Sequence, residues 1–368
     1  MRRSVRTASV LLATGALLVT PGLASAAPPQ PTPTVLSTAV VAPFNLDLFR
    51  SKVYVADGFT NQVGRLKADG SIATVVADAV GTSGVAHSRN GKYRAYTVTE
   101  GGPPEGITMS GLRIDGPRGS RVFADTLAYE TSRNPDAKYT YGPVSTDPCV
   151  INALGPATKG LVDSHAYSVL RYGSSWVVAD AGANALFKID QRGRIRTLAV
   201  LPPQPYRITA EGAAALGLPS CTVGVTYRFE AVPTDVELGR DGQLYVTTLP
   251  GGPETNALGA RGALWRVNPR TGKVRLVASG FAGATNLAIG SKGEIYVAEY
   301  FAGKISVVRK GKVKPFLNLQ NVVALESDRG TLWAGTTINL DPSLPPVPGT
   351  IVKIAKGKPA KAGFLRKR

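Results

Sequence analysis

The chain has 368 residues, with 43 Lys and Arg against 25 Asp and Glu, for a formal net charge of +18. Charged residues make up only 18% and the mean hydropathy is near zero, which argues against a disordered protein. The two Cys and two His leave little material for a metal centre built from Cys and His. The 41 Gly and 27 Pro, scattered among short apolar runs, indicate many strands and turns rather than long helices.

The amino terminus has the features of a secretory signal peptide. Three arginines precede the apolar run 10–19, and the small residues Ala24-Ser25-Ala26 follow. The pattern predicts that residues 1–27 are removed by cleavage after Ala26 or Ala27, with Sec and twin-arginine export both left open. No later stretch approaches the roughly 20 apolar residues that a membrane-spanning helix needs, so we expect a secreted bacterial protein without a transmembrane segment.

The rest of the chain is predicted to form three parts. Residues 28–33 are a stiff spacer rich in Pro, residues 34–357 form the folded domain, and residues 358–368 are a basic tail.

A short apolar strand recurs six times in the folded domain. Four copies end in an acidic residue, and these are Val53–Asp57, Ala95–Glu100, Trp176–Asp180 and Ile295–Glu299. The copies at 244–248 and 332–336 are neutral. A strand and a tight turn precede each copy, and hairpins follow, so the repeating unit has four strands. Six such units predict an all-β fold, a six-bladed β-propeller.

The two ends of the domain are predicted to meet. The sixth unit has a third strand at 350–354, but the sequence that follows is a poor strand. The segment Val35–Val40, before the first unit, is a good one. We therefore expect the amino-terminal strand to close the last blade and remove an open sheet edge.

Long insertions are predicted to lie on one face of the disc. They fall between the second and third strands of a blade or between blades, at 101–110, 126–163, 202–233, 250–262 and 339–349. Loops held by a rigid scaffold often carry binding function, which makes this the candidate binding face. The alternative is that insertions accumulate where turns are loose.

Cys149 and Cys221 lie in the insertions on either side of the third blade. One pair of Cys in a secreted chain favours a disulfide between them, with two reduced thiols as the alternative.

Acidic and amide side chains are expected to meet at one mouth of the central channel. They end second strands or begin innermost ones, and the candidates are Asp57, Glu100, Asp180, Asp235, Asn286 and Glu299. Their oxygens are hard ligands suited to Ca²⁺. The alternative is that each acid accepts backbone N–H bonds and serves the repeat itself.

His165 reaches an inner strand from the same face and is a candidate base or ligand, with a structural role as the alternative. A triad of Ser164, His165 and Asp180 is rejected because neighbouring residues on a strand face opposite ways. His87 lies within a strand and is expected to be structural.

The chain resembles the ScyD/ScyE family of secreted bacterial propeller proteins, which are similar to NHL-repeat propellers. The residues that carry the resemblance include Leu127–Glu130 with Asn134–Asp136, Val177–Asn184, 197–202, Ala231–Val236, 239–246 and 280–290. The resemblance covers roughly residues 34 to 357. It implies a propeller fold and export, but no biochemical activity common to the family.

Two functions follow. Long one-sided loops without a catalytic constellation favour a monomeric binding or scaffold module that holds a polar ligand, a cation or a protein partner. The second is a metal-dependent hydrolase or lyase that resembles lactonase propellers, with Glu100, Asn286 and Asp235 around a Ca²⁺ ion.

The charge of the mature chain is concentrated at its carboxyl end. Removal of the signal peptide leaves +15, of which residues 304–368 carry +10. The tail is suited to an anionic wall polymer outside the cell rather than to sequence-specific binding of nucleic acid. A solvated tail that serves solubility is the alternative.

Overall fold

A computed structural model describes residues 31–102, 105–340 and 343–355 of the chain. The fold is all-β and consistent with a β-propeller, since seven four-stranded sheets and three short α-helices account for its main elements in these ranges. The predicted signal peptide and basic tail lie outside the described residues. No helix in the described ranges is long and apolar enough to cross a membrane.

Six of the sheets follow the predicted repeat. Sheet 1 contains β2 (Pro43–Phe49), β3 (Lys52–Asp57), β4 (Gln62–Leu66) and β5 (Ile72–Val76). Sheet 2 contains β6 (Val85–His87), β7 (Arg94–Gly102), β8 (Gly106–Asp115) and β9 (Arg121–Asp125). Sheet 3 contains β12 (Ala166–Tyr172), β13 (Ser175–Asp180), β14 (Ala185–Ile189) and β15 (Ile195–Val200). Sheet 4 contains β18 (Pro233–Leu238), β19 (Leu244–Thr248), β20 (Gly262–Val267) and β21 (Val274–Phe281). Sheet 5 contains β22 (Ala284–Ile289), β23 (Ile295–Glu299), β24 (Lys304–Arg309) and β25 (Lys312–Asn318). Sheet 6 contains β26 (Val322–Asp328), β27 (Thr331–Thr336), β28 (Gly349–Ile354) and β1 (Pro33–Val40).

The first strands of these sheets contact one another in cyclic order. The strand β2 contacts β6, which contacts β12, and the series continues through β18, β22 and β26 back to β2. The six inner strands therefore surround a common axis.

The core is divided among the junctions between neighbouring sheets. Side chains alternate between the two faces of a strand, so adjacent residues serve different junctions. On β13, Val178 packs in the cluster shared with sheet 2, whereas Val177 packs in the cluster shared with sheet 4. Both residues are fully buried. The strands are apolar on both faces because each sheet is covered on both sides.

The predicted closure by the amino-terminal strand is confirmed. The strand β1 pairs antiparallel with β28, so that Val35 lies opposite Val352 and Val40 opposite Gly349. Val40 is buried, and the Ser37 hydroxyl donates to the carbonyl of Gly70 in sheet 1. The first strand of the domain thus completes the last sheet.

The prediction of loops in the insertions was wrong in three places. Residues 101–110 mostly extend the hairpin of β7 and β8, which pair as far as Gly102 and Gly106. The insertions 126–163 and 202–233 contain regular elements of their own. These are α1 (Thr126–Arg133), β10 (Thr140–Pro143), α2 (Pro148–Leu154), β11 (Thr158–Lys159), β16 (Gln204–Arg207), α3 (Ala210–Ala215) and β17 (Thr226–Phe229).

The two large insertions form the seventh sheet together, in the order β11-β10-β17-β16. We call it the accessory sheet. The predicted disulfide between Cys149 and Cys221 is confirmed, with Cα atoms 6.4 Å apart, and it joins the two insertions beside this sheet.

Candidate functional site

Three of the predicted acids hold backbone in place. The carboxylate of Asp57 accepts the N–H groups of Val41 and Ala42 at 2.9 Å each, in the segment that leads into β2. Glu299 does the same for Ala282 ahead of β22, also at 2.9 Å. Both acids are buried. Their contacts match the alternative to Ca²⁺ binding, in which each acid accepts backbone N–H bonds and stabilises the repeat.

Asp180 has the same role in sheet 3. Its oxygens accept the N–H groups of His165 at 2.7 Å and Ala183 at 3.1 Å, and the hydroxyl of Ser164 at 2.7 Å. The Ser164 hydroxyl is buried beside Asp180, whereas the imidazole of His165 lies against the ring of Tyr167. The two side chains face different surroundings, in keeping with the alternation of side chains along a strand.

Asp235 and Asn286 join neighbouring inner strands. Asp235 accepts the N–H of Leu287 on β22 at 3.0 Å, and Asn286 accepts the N–H of Leu325 on β26 at 2.7 Å. Asn45 repeats this contact between β2 and β6. Each bond satisfies an inner-strand donor that faces the next sheet.

The predicted Ca²⁺ ligands do not fit a cation well. Asp235 and Asn286 each accept a backbone N–H through a side-chain oxygen. Glu100 is exposed near the end of β7. In the described part of the chain, no group of three or more His, Cys, Asp or Glu could hold a metal ion.

Four aromatic rings form a chain at the end of the inner strands where the insertions begin. Phe59 packs edge-on against Phe44, with ring centroids 5.7 Å apart. Phe44 lies 6.1 Å from Tyr167, and Tyr167 lies 5.6 Å from His165. We call this end of the ring of inner strands the channel mouth.

A glycine allows the two central rings to meet. Phe44 belongs to β2 and Tyr167 to β12, and sheet 2 lies between them. At Gly84, just before β6, an added Cβ would lie 2.8 Å from the carbonyl oxygen of Tyr167. A larger residue at this position would push β12 away from β6. Gly84 therefore allows the rings of Phe44 and Tyr167 to come into contact.

The channel mouth is exposed enough to meet a ligand. Phe59 is 53% exposed, and Phe44, His165 and Tyr167 are half-buried. A cluster of aromatic rings that is partly open to solvent is a candidate ligand site.

The electrostatics of the mouth favour uncharged forms of its polar groups. Burial, with the charges of Asp235 and Glu254, raises the pKa of the Tyr167 hydroxyl. Burial lowers the pKa of His165, an effect that Asp180 opposes, so the imidazole is neutral at neutral pH. Burial raises the pKa of Asp235 to about 7 even though backbone N–H bonds favour its charged form.

Further acids face the axis below the mouth, and the sequence analysis missed them. Burial and the carboxylate of Glu326 raise the pKa of Glu237, and burial with Asp47 raises that of Glu326 to about 8. Asp47 and Glu237 each stand two positions after an inner-strand Asn or Asp, on the same face of the strand. This two-residue spacing is the sequence feature that could have predicted these acids.

A second buried group of acids lies under the insertions. Glu130 accepts the N–H of Asp163, and Asp136 accepts from the Tyr141 hydroxyl and the Asn184 amide, each at 3.0 Å. Glu130, Asp136 and Asn184 belong to the segments that carry the family resemblance. Hydrogen bonds from these segments therefore hold the first large insertion against sheet 3.

No protein-family model and no curated protein sequence matches the chain. Solved structures do resemble it. Virginiamycin B lyase from Staphylococcus aureus is 14% identical over 89% of this chain and 88% of that one, with a TM-score of 0.46. The PQQ-bound aldose sugar dehydrogenase from Streptomyces coelicolor is 12% identical over 89% and 99%, with a TM-score of 0.52. XC5397 from Xanthomonas campestris, a gluconolactonase, is 8% identical over 90% and 95%, with a TM-score of 0.52.

At these identities the last two likenesses show the fold alone. They support the predicted β-propeller, and they do not confirm membership of the ScyD/ScyE family.

Proposed function

We propose that the protein is a secreted six-bladed propeller, of the ScyD/ScyE type, that binds a small hydroxylated ring compound such as a sugar at the channel mouth. The observation that carries this proposal is the aromatic chain of Phe59, Phe44, Tyr167 and His165 beside the carboxyl group of Asp235. Aromatic faces pack against the C–H surface of such a ring, while neutral donors and acceptors bond its hydroxyl groups.

Three observations support the proposed number of blades, the proposed export and the proposed class of ligand. The cyclic contacts of six inner strands favour a ring of six blades, with the accessory sheet as an addition outside the ring. The disulfide between Cys149 and Cys221 fits an oxidising compartment and hence export. Sugar chemistry also appears in the names of two proteins of similar fold, the aldose sugar dehydrogenase and the gluconolactonase.

Calorimetric titration of the mature protein with D-glucose and with D-glucono-1,5-lactone tests the proposal. Tyr167→Phe removes one hydroxyl at the mouth, and we expect affinity to fall roughly tenfold. Tyr172→Phe is the matched control, because Tyr172 ends the same strand β12 at its far end. Absence of binding to both compounds, or equal affinity in wild type and Tyr167→Phe, would contradict a sugar site at the mouth.

A second candidate is a hydrolase that needs no metal ion. The neutral imidazole of His165 and the carboxyl of Asp235, with its pKa of about 7, are suited to general base and general acid roles. In lactone hydrolysis, His165 would take a proton from the attacking water as its oxygen bonds to the carbonyl carbon. Asp235 would protonate the ring oxygen as the ester C–O bond breaks.

The rate of proton release from D-glucono-1,5-lactone distinguishes a hydrolase from a binding module. A hydrolase accelerates proton release from D-glucono-1,5-lactone above the spontaneous rate, and His165→Gln abolishes the acceleration. A binding module leaves the spontaneous rate unchanged while it binds the lactone.

A further inference from the structure

Sheet 2 presents a basic face toward sheet 1 at its outer end. Two rows of directly opposed residues cross its three outer strands, β7, β8 and β9. The first row is Arg94, Asp115 and Arg121, and the second is Tyr96, Arg113 and Phe123. Opposed residues, and residues two apart on a strand, share a face, so the backbone register alone places three arginines on one surface.

This surface borders a cavity rather than a packed core. The apolar cluster between sheets 1 and 2 ends at Tyr96, and beyond it a cavity of about 560 Å³ opens against residues 75–78 of sheet 1. Both rows line the cavity. Arg113, Arg94 and Arg121 all lie close enough to the Tyr96 hydroxyl to counteract the rise in its pKa that burial and Asp115 cause.

A second cavity, of about 410 Å³, adjoins the first, and Arg94 and Asp115 line both. Its walls add three basic side chains, Arg50, Lys52 and Lys92, and the aromatic rings of Phe49, Tyr54 and Tyr93. We call the two cavities together the basic groove. Its lining holds six basic residues, Arg50, Lys52, Lys92, Arg94, Arg113 and Arg121, against the acidic Asp78 and Asp115.

The side chains of the groove are held in position. Arg94 pairs with Asp115 at 2.5 Å, and both are about three-quarters buried. The guanidinium of Arg113 stacks 5.2 Å from the ring centre of Phe123, and that of Arg50 lies 5.1 Å from the ring centre of Phe49. Guanidinium groups fixed on aromatic rings lose little freedom when they bind an anion, which favours bidentate recognition.

We propose that the basic groove binds an anionic polysaccharide, a chain of sugar rings that carry acidic groups. Arginines would bind the acidic groups through paired N–H donors, and Tyr93 and Phe123 would pack against the sugar rings. The groove consists of two adjoining cavities, and this length suits a chain better than a single ring. The site is separate from the channel mouth and does not depend on its function.

Fluorescence anisotropy with labelled polygalacturonate oligosaccharides tests the proposal on the mature protein. We expect binding that weakens as salt is added, and at least a roughly tenfold loss of affinity in Arg113→Ala/Arg121→Ala. Arg270→Ala/Arg275→Ala is the matched control, because it removes the same charge from exposed positions in sheet 4 and is expected to leave affinity unchanged.

Competition experiments complete the test. Uncharged dextran is expected not to displace the probe. The proposal is overturned if wild type does not bind polygalacturonate, if both double variants lose affinity equally, or if duplex DNA of equal charge displaces the probe more effectively than unlabelled polygalacturonate. Circular dichroism and thermal unfolding confirm that the variants are folded.

Discussion

The side-chain amide of Asn184 donates to the carboxylate of Asp136 at 3.0 Å, although 48 residues separate the two in the sequence. Asn184 also accepts the N–H of Val232, just before sheet 4, at 2.9 Å. One buried amide thus connects the first large insertion, sheet 3 and the end of the second large insertion. This contact holds the accessory sheet to sheet 3, whereas the disulfide joins the two insertions to each other.

Replacement of Asn184 by Ala is expected to destabilise the protein by about 2–4 kcal/mol. The change removes one of the two donors to the Asp136 carboxylate and the acceptor of the Val232 N–H, and Asn184 has a φ of 51°, which Ala tolerates less well. Asn61→Ala is the matched control, because Asn61 holds the corresponding place in sheet 1 with a φ of 52° but is exposed, and its side chain accepts an exposed N–H from Gly81. Urea unfolding measures both, and equal losses would show that burial of the Asn184 amide adds no stability.

Removal of the disulfide is expected to lower the free energy of unfolding by about 4 kcal/mol, because Cys149 and Cys221 are 72 residues apart and close a long loop in the unfolded chain. Cys149→Ala/Cys221→Ala, measured by chemical unfolding, tests this. Wild type reduced with dithiothreitol provides the control and should match the variant. A loss below about 1 kcal/mol would mean that residual structure between the two insertions already restricts the unfolded chain without the disulfide.

The buried acids under the insertions predict that stability falls as pH rises. Burial, with nearby carboxylates, raises the pKa of Glu130 to about 8 and that of Asp163 to about 6, above their ordinary values of 4.5 and 3.8. The folded state therefore holds more protons than the unfolded state above about pH 4, and the stabilisation is lost as pH rises toward 8.

Glu130→Gln tests this dependence, because an amide imitates the protonated carboxyl. Between pH 5 and pH 8 we expect the stability of the variant to gain about 2 kcal/mol or more relative to wild type in urea unfolding. Glu211→Gln, at an exposed glutamate of the second insertion, is the control and should follow wild type. A constant difference between Glu130→Gln and wild type would contradict a raised pKa at Glu130.

Deletion of the closing strand is expected to cost at least about 3 kcal/mol and to promote aggregation. A chain that begins at Val41 lacks β1, loses the buried side chain of Val40 and leaves β28 as an open edge. A chain that begins at Pro33 keeps β1 and is the control. Thermal unfolding and light scattering compare the two, and identical behaviour would show that β1 adds nothing to sheet 6.

The strands of the ring were predictable because each repeat shows its pattern locally. Segments such as Trp176–Asp180 combine apolar side chains on both faces with a tight turn, and the strand β13 has the predicted limits to within one residue. The closing strand was also predictable, since an apolar segment before the first repeat matched a missing strand after the last.

The accessory sheet was not predictable in the same way. The strands β10 and β17 pair Gly142 with Arg228 and Pro143 with Tyr227, between two segments that belong to different insertions and do not repeat elsewhere. The candidate site was predicted in part. The sequence pattern singled out His165 and Asp235 as candidates, but the rings of Phe44, Phe59 and Tyr167 come together only through the arrangement of three sheets.

The pairing of β1 with β28 also sets an order for folding during synthesis. A polypeptide made from its amino terminus presents β1 first, yet the partner strand lies more than 300 residues later in the chain. Sheet 6 therefore stays incomplete until residues 349–354 have been synthesised, and the first strand is unpaired until then. The last sheet is completed only when nearly the whole domain is present, so the sheets are not completed simply in the order of the sequence.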